Sequence, residues 1–364
     1  MKGTIAVGPG DGIGPEIVAE GVKVLEIVEK KYGHDFELKY FDIGGISIDK
    51  YGTPLTEENL DMCRNCDAIF FGALGGPKWD YPGAPVYTNT AGLRLRKEFD
   101  LYANIRPAKV YPGMEGCSPI RPENARGMDL IVLRENTGGA YFGQPKRQWT
   151  EDGKRWAVDT MIYSEPEIER ILRVGYELAS TRRKKLTSVE KSNVTETGKL
   201  WRAMATEMQK EFPDVELEHY LADACTMQLL RQPTRFDVLV MGNLFGDLIS
   251  DEAAAIAGSL GMGPSAQLAG SGVGGQRLFG YYESIHGSAP DIAGKGIANP
   301  IATIVSAAFM LEYTYGLPKE AAVIDAAVAE VVRENRTPDI MEEGRKLVTT
   351  KEMGDLIARA IERA

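Results

Sequence analysis

Cysteine is scarce in this sequence, with four residues in a chain of 364. So few thiols in so long a chain do not make a disulfide framework, and a reducing cytoplasm is the expected location. Cys63 and Cys66 form a CxxC motif, but no second CxxC accompanies it. We therefore interpret these cysteines as structural thiols rather than zinc ligands.

Long apolar runs and an excess of basic residues are also absent. No apolar stretch approaches the roughly 18 residues of a membrane-spanning helix, and Met1 to Gly3 lead straight into a predicted strand, so we expect neither a membrane span nor a signal peptide. The 42 basic and 52 acidic residues give a net charge of −10, which argues against nucleic acid or an anionic membrane as a partner. The length indicates about two domains.

A glycine-rich loop at 8–14 separates a predicted strand from a predicted helix at 15–29. Its glycines fail the G-x-G-x-x-G spacing of a conventional Rossmann fold, because Gly10 and Gly12 require glycine or alanine at position 15, which is proline. Strand and helix signals then alternate along the chain, with one predicted strand at 158–163, and this alternation predicts an α/β fold.

The stretch from Gly242 to Glu252 follows an apolar run that predicts a buried strand. Gly242 and Gly246 predict a turn, and a helix is predicted to start at Asp247. Asp247 and Asp251 then lie on one face of that helix, where like charges repel unless a cation lies between them. Oxygen ligands at this spacing suit Mg²⁺ or Mn²⁺. A solvated acidic helix start is the alternative interpretation.

Other polar residues stand at the ends of predicted core elements. Arginines in such places can hold carboxylates in a bidentate manner, or can form surface ion pairs. A tyrosine in a glycine-rich turn can deliver a proton or simply pack, and a lysine at a strand end can act as a base or remain exposed. The candidates are Arg96, Arg106, Arg134, Tyr141, Lys191 and a third carboxylate, Asp223; the segment 283–300, which contains His286, is predicted to be a ligand-binding loop.

Seven segments, in order, resemble the family of β-decarboxylating dehydrogenases that includes the isopropylmalate, isocitrate, homoisocitrate and tartrate enzymes. They cover essentially the whole chain: 8–16, 95–107, 134–143, 189–193, Asp223, 243–252 and 283–300. The resemblance implies an isopropylmalate-dehydrogenase-like, two-domain α/β fold with mixed central sheets flanked by helices, and not a Rossmann fold. Residues 1–102 with 259–364 would form the cofactor-binding domain, residues 103–258 the domain of dimerisation and metal binding, and the active site would lie between them.

The resemblance also implies a role for each candidate. Asp247 and Asp251 would hold Mg²⁺ or Mn²⁺ together with Asp223, which would reach across from the other subunit of a homodimer and also face the substrate. Lys191 would take the C2 hydroxyl proton and Tyr141 would protonate the enol. The remaining positions are substrate-binding Arg96, Arg106, Arg134, Leu93 and Gly92, and cofactor-binding Glu283, His286, Gly287, Ser288, Ala289, Pro290, Asp291, Ile292 and Asn299.

The cofactor implied by the resemblance is NAD. Asp291 stands where NADP-using relatives carry a lysine-tyrosine pair, and a carboxylate accepts from the ribose 2′-hydroxyl but repels a 2′-phosphate.

The implied substrate is a malate substituted at C3, with (2R,3S)-3-isopropylmalate of leucine biosynthesis as the first expectation. The segment 89–94, with Asn89 and Gly92 where a glutamate and a leucine are usual, and Asn136 depart from the isopropylmalate pattern. A change of this kind in a hydrophobic pocket shifts selectivity by only about 1–3 kcal/mol per methylene. Homoisocitrate, tartrate, malate and aryl- or alkylmalates remain alternatives. A regulatory paralogue without turnover is disfavoured by the intact Tyr141, Lys191 and aspartates, and a metal-dependent hydrolase leaves the 283–300 loop unexplained.

Overall fold

One mixed sheet of ten strands runs through the computed structural model, which describes all residues from Met1 to Ala364. The strand order is β2-β1-β3-β12-β11-β4-β5-β10-β8-β9, and two small two-stranded sheets, β6-β7 and β13-β14, lie outside it. The strands are β1 (Lys2–Gly10), β2 (Asp35–Tyr40), β3 (Ala68–Ala73), β4 (Ala103–Lys109), β5 (Asp129–Glu135), β6 (Arg147–Glu151), β7 (Lys154–Val158), β8 (Lys185–Glu190), β9 (Glu216–Leu221), β10 (Val238–Met241), β11 (Pro264–Leu268), β12 (Gly280–Ser284), β13 (Asn335–Arg336) and β14 (Lys346–Leu347).

Helices cover this sheet. They are α1 (Gly14–Tyr32), α2 (Gly45–Tyr51), α3 (Glu57–Arg64), α4 (Thr90–Glu98), α5 (Pro122–Ala125), α6 (Glu165–Thr181), α7 (Glu196–Met208), α8 (Ala222–Arg231), α9 (Asn243–Ile256), α10 (Ile301–Phe309), α11 (Pro318–Val331) and α12 (Thr350–Arg363). Every residue of β3 and of β10 is buried, as expected for strands that are covered on both faces and therefore read as continuous apolar runs. The α/β fold with a mixed sheet flanked by helices is thus confirmed.

The sheet changes direction at its middle. Strand β4 pairs antiparallel with both β5 and β11, and β11 pairs antiparallel with β12, whereas the other pairs of this sheet are parallel. Strands from residues 1–102 and 259–364 form the half that ends at β11, and strands from 103–258 form the other half. The sheet is therefore continuous, and the division into two domains stays a prediction whose boundary would be the β4-β11 pair.

Two local predictions were wrong. Residues 159–163 form no strand, because the chain instead makes the β6-β7 hairpin, which ends at Val158. Gly246 is not in a turn, since α9 already begins at Asn243 after the extended residue Gly242. Gly246 packs against Arg134, where a Cβ would clash, so this glycine allows close packing and does not reverse the chain. No helix of the structure combines the length and apolarity needed to cross a bilayer.

Candidate active site

A cleft of about 330 Å³ gathers most of the predicted site residues. It lies among α4, the ends of β3, β4, β5 and β12, the N-terminal half of α9 and the loop after β12. The predicted residues that line it are Gly92, Leu93, Arg96, Arg106, Arg134, Tyr141, Asp247, Asp251, Glu283, His286 and Gly287. A larger cavity, about 780 Å³, contains none of the predicted site residues, so chemistry rather than size identifies the candidate site.

Arg134 is the most deeply placed of the three arginines, with 1% of its side chain exposed. Its Nε and Nη2 donate to Asn243 Oδ1 at 3.0 and 2.7 Å, and its Nη1 donates to Asp247. Asn243 in turn donates to the carbonyl oxygen of Gly138 at 3.0 Å. Because each partner is itself held, the guanidinium enters the cleft in one orientation.

Arg106 is fixed in the same way. Its Nε donates to Asn104 Oδ1 and its Nη1 to Ser250 Oγ, each at 2.7 Å, while Nη1 lies 3.5 Å from Asp247 and 3.8 Å from Asp251. Asn104 and Ser250 were not among the residues predicted from the sequence. Asn104 is two residues from Arg106 on a strand and Ser250 is three from Asp247 on a helix, and residues so spaced share a face, so this spacing could have indicated both.

The three arginines share the cleft with Asp247, Asp251 and Glu283 and lie close enough to affect one another. Burial, together with the charges of Arg106 and Arg96, lowers the pKa of Arg134 to about 9. Burial likewise lowers the pKa of Arg106, although Asp247 opposes the shift. Packed guanidiniums that destabilise one another in this way favour an anion between them, and their planar donors match a carboxylate.

The two aspartates of α9 differ in their electrostatic environment. Burial opposes the charge of Asp247, but Arg134 and Arg106 outweigh it and hold its pKa below the ordinary range. Burial and the neighbouring Asp247 raise the pKa of Asp251 against the attraction of Arg106. Tyr141 donates to Asp247 Oδ2 at 2.7 Å, and burial and this hydrogen bond raise the pKa of its phenol, which therefore stays protonated.

A divalent cation fits the donors present. Asp247 and Asp251 stand one helical turn apart, and half of the Asp251 side chain is exposed to the cleft. Mg²⁺ typically takes one or two carboxylates and completes its shell with water and substrate oxygens, so this oxygen-only pair suits it. A single chain does not bring a third metal-ligating side chain to the pair.

Lys191 and Asp223 lie outside the cleft of their own chain. They form an ion pair with each other, in which 25% of the lysine side chain and 68% of the aspartate side chain are exposed. Lys191 follows β8 directly and Asp223 is the second residue of α8, which follows β9, so both stand at the carboxyl edge of adjacent parallel strands. Two predicted site residues are therefore together, but separate from the others.

The predicted cofactor loop follows β12 and packs against the start of α1. The carbonyl oxygen of Ser288 accepts from the amide of Ile13 at 2.8 Å, and Ile292 packs on the buried cluster that contains Ile17. His286 Nε2 is buried without a partner, and burial lowers the pKa of this histidine, which leaves a neutral imidazole beside the cleft. An unpaired polar atom at this position fits a hydrogen-bonding ligand such as a nucleotide.

The other predicted cofactor-binding residues of the loop differ in their exposure to solvent. Gly287, Pro290 and Asp291 are exposed, whereas Asn299 is buried, donates to Asp339 at 3.0 Å and accepts from the amide of Ile301. Asn299 thus anchors the end of the loop, and its role toward adenosine stays a prediction.

Comparisons with known proteins agree with this geometry. A family model described as isocitrate/isopropylmalate dehydrogenase matches residues 4–357. The chain belongs to this family. It is 52% identical to a 3-isopropylmalate dehydrogenase of Aquifex aeolicus, over 100% of this chain and 98% of that protein, and 52% identical to one of Dehalococcoides mccartyi strain 195, over 99% and 100%.

A solved structure of the family gives the same result at lower identity. The crystal structure of isocitrate dehydrogenase from Methylococcus capsulatus superposes with a TM-score of 0.87 at 36% identity, covering 99% of each chain. The resemblance to the β-decarboxylating dehydrogenases and their fold is therefore confirmed.

The departures in sequence have different surroundings. Asn136 is fully buried and does not line the cleft, so it has no direct contact with a ligand there. Asn89 and Gly92 do line the cleft, and a Cβ at position 92 would meet only Leu74, at 3.6 Å. Position 92 therefore remains a wall of the pocket where side-chain size matters.

Replacing Gly246 with alanine is expected to disable the site. A Cβ at 246 would stand 2.5 Å from Arg134 Cγ and 2.6 Å from its Cβ, which are not flexible atoms. Although alanine is the better helix former, overpacking should lower the free energy of unfolding by about 1–3 kcal/mol, and displacement of Arg134 should lower kcat/KM by about 100-fold. Urea denaturation and steady-state kinetics measure the two effects. A stabilised variant with unchanged kcat/KM would contradict this packing.

Gly92→Ala is the matched helix substitution, because its Cβ has room. It should raise the free energy of unfolding by about 0.5–1 kcal/mol, since alanine favours the helix. It should also lower kcat/KM for bulky C3 substituents, such as benzyl, more than for isopropyl. Kinetics with both substrates measure this ratio, and an unchanged ratio would show that position 92 does not face the C3 group.

Proposed function

We propose that the chain catalyses the NAD-dependent oxidative decarboxylation of (2R,3S)-3-isopropylmalate to 4-methyl-2-oxopentanoate and CO₂, in leucine biosynthesis. The observation that carries the proposal is the convergence of Arg96, Arg106 and Arg134 on one cleft that also holds Tyr141 and two aspartates. Three fixed guanidiniums suit a substrate with two carboxylates. Relatives about half identical over their full length, named 3-isopropylmalate dehydrogenase, support the choice of substrate.

The cleft also offers a place for the C3 group. Leu74, Gly92 and Leu93 line one part of the same cavity as the arginines. Apolar side chains beside a small residue suit a branched alkyl group. Asn136 lies outside the cleft, whereas Asn89 and Gly92 line it, so these two departures are the ones that would act directly on the C3 group.

The residues of this chain divide the chemistry between them. When bound, NAD would accept the hydride from C2, and Mg²⁺ or Mn²⁺ would supply Lewis-acid stabilisation of developing negative charge. The arginines orient the carboxylates, Lys191 Nζ takes the proton of the C2 hydroxyl, and the Tyr141 phenol delivers a proton to C3 after CO₂ leaves. Asp247 holds the phenol in place by accepting its hydrogen bond.

NAD rather than NADP is supported by Asp291. This carboxylate is exposed on the loop that contains His286, and it makes no side-chain hydrogen bond within the chain. An exposed carboxylate at this site would accept from a ribose hydroxyl and would repel a 2′-phosphate. The four cysteines are free, which supports a reaction in the reducing cytoplasm.

The active unit we propose is a homodimer with shared sites. Large apolar side chains on α8 and α9 are exposed, among them Met227, Leu230 and Leu248, the last at 63%. The β6-β7 hairpin is almost wholly exposed and stacks Trp149 on Trp156 at 6.1 Å, although isolated hairpins are only marginally stable. A two-fold interface over these elements would cover them and bring the ion pair of Lys191 and Asp223 to the other subunit's cleft.

Formation of NADH across a panel of malates tests the proposal. With Mn²⁺, isopropylmalate should give a higher kcat/KM than malates that carry methyl, benzyl, carboxymethyl, carboxyethyl or hydroxyl groups at C3. NADP should replace NAD poorly, and removal of the metal with EDTA should abolish activity until Mn²⁺ is restored. Preference for another substituent would retain the chemistry but overturn the substrate. No turnover of any member with either cofactor would overturn the enzymatic function.

Mixing inactive variants tests the shared site. Lys191→Ala and Asp247→Ala should each be inactive alone, but a hybrid dimer would place both defects in one site and leave the other intact. After unfolding and refolding at equal amounts, half of the dimers are hybrids, so about a quarter of the wild-type activity should return.

A second mixture is the control. Tyr141 and Asp247 line the same cleft of one chain. Tyr141→Phe mixed with Asp247→Ala therefore leaves every site damaged in every dimer. Recovery in the first mixture but not in the second is expected, whereas no recovery in either would show that Lys191 acts within its own chain or not at all.

A further inference from the structure

Asn136 makes two hydrogen bonds in the core behind the cleft. It follows β5, is completely buried, and its Nδ2 donates to Gln267 Oε1 at 2.7 Å and to the carbonyl oxygen of Leu101 at 3.2 Å. An asparagine amide nitrogen has two protons, and both are used here. Asn136 therefore presents a donor to Gln267 in a fixed direction.

The hydrogen bond from Asn136 also fixes the orientation of the Gln267 side-chain amide. Gln267 lies on β11, is completely buried, and its Nε2 donates to Glu283 Oε1 at 2.5 Å. A glutamine amide has a carbonyl on one side and an NH₂ group on the other, so a donor at its oxygen forces its nitrogen toward the opposite neighbour. With Asn136 at its oxygen, Gln267 turns its NH₂ group to the carboxylate.

Glu283 is where this chain of hydrogen bonds meets the cleft. The hydroxyl of Tyr281 donates to its Oε2 at 3.0 Å, and its Oε1 lies 3.6 Å from Arg96 Nη2. Both members of the ion pair are largely buried, with 13% of the Arg96 side chain and 12% of the Glu283 side chain exposed. No other acidic side chain lies within 4.0 Å of the Arg96 guanidinium.

We propose that Asn136 and Gln267 are positioning residues, which orient Glu283 and through it hold Arg96 ready for a substrate carboxylate. Neither residue lines the cleft, and the effect on substrate rests on the proposed function. Asn104 and Ser250 fix Arg106, and Asn243 fixes Arg134, whereas Arg96 has no hydrogen bond to a neutral side chain. The ion pair with Glu283 is thus its side-chain restraint within the chain.

Substitution of Asn136 by leucine would remove the hydrogen bond to Gln267. Leucine has the same branching and number of side-chain heavy atoms as asparagine but offers no donor, so Gln267 Oε1 would be left buried and unpaired. The amide can then rotate and point its oxygen at Glu283, where two acceptors repel each other. Glu283 would shift and Arg96 would lose its fixed partner, which weakens substrate binding more than the chemical step.

Steady-state kinetics of two single variants, their double variant and a control test this chain of hydrogen bonds. Asn136→Leu and Gln267→Met each should raise KM for isopropylmalate about five- to twentyfold, at saturating NAD and Mn²⁺, and leave kcat within about twofold. Because the two residues act in series, the double variant should be no worse than Gln267→Met alone. Thr187→Val is the control: this threonine is also fully buried in the sheet, its hydroxyl has no partner, and its loss should leave KM unchanged.

Contrary results are equally specific. An unchanged KM in both single variants, additive effects in the double variant, or an equal fall of kcat with unchanged KM would overturn the proposal. If Asn136→Leu does not fold, Gln267→Met alone gives the same KM readout.

A crystal structure of the folded variant separates this inference from the proposed function. If the wild-type protein turns over no substituted malate, the proposed function fails. A rotated Gln267 amide and a displaced Arg96 guanidinium in the variant would still support the positioning role, and an unmoved guanidinium would refute it.

Discussion

The ion cluster of Arg134, Arg106 and Asp247 is the constraint on which the site depends. Two buried guanidiniums and a carboxylate would cost several kcal/mol each if they were unpaired. All three nitrogens of Arg134, and Nε and Nη1 of Arg106, donate to side chains. Asn243, Asn104 and Ser250 supply neutral acceptors on the protein side. On the cleft side the guanidiniums remain open to the carboxylates of the proposed substrate.

This constraint explains features of the fold that are otherwise arbitrary. Helix α9 must approach β5 closely enough for Arg134 to lie over it, and Gly246 permits this approach. The same helix carries Asp247 and Asp251, so the packing of α9 against the arginines also fixes where these two carboxylates lie. Antiparallel β4 brings Arg106 beside Arg134, because Asn104 and Arg134 are register partners.

The cleft of one chain lacks two of the predicted site residues. It contains Tyr141, the arginines and two carboxylates, whereas Lys191 pairs with Asp223 at a different edge of the sheet. Exposed apolar side chains on α8 and α9 lie on the same part of the molecule as this ion pair. In the proposed homodimer, assembly would therefore be required for catalysis, because the surface that the partner would cover carries the proposed base, Lys191.

The α/β class could be predicted from the chain alone, because alternating strand and helix signals are local properties, and the order of seven motifs predicted the family and most of the cleft. The proline at position 15 also excluded a Rossmann loop. Three features became visible only in the folded chain: Gly246 contacts Arg134, Asn136 faces Gln267 rather than the cleft, and Lys191 and Asp223 stand apart from the other site residues. These depend on which strands become neighbours and how closely helices pack, and contacts between residues more than 100 positions apart leave no local pattern.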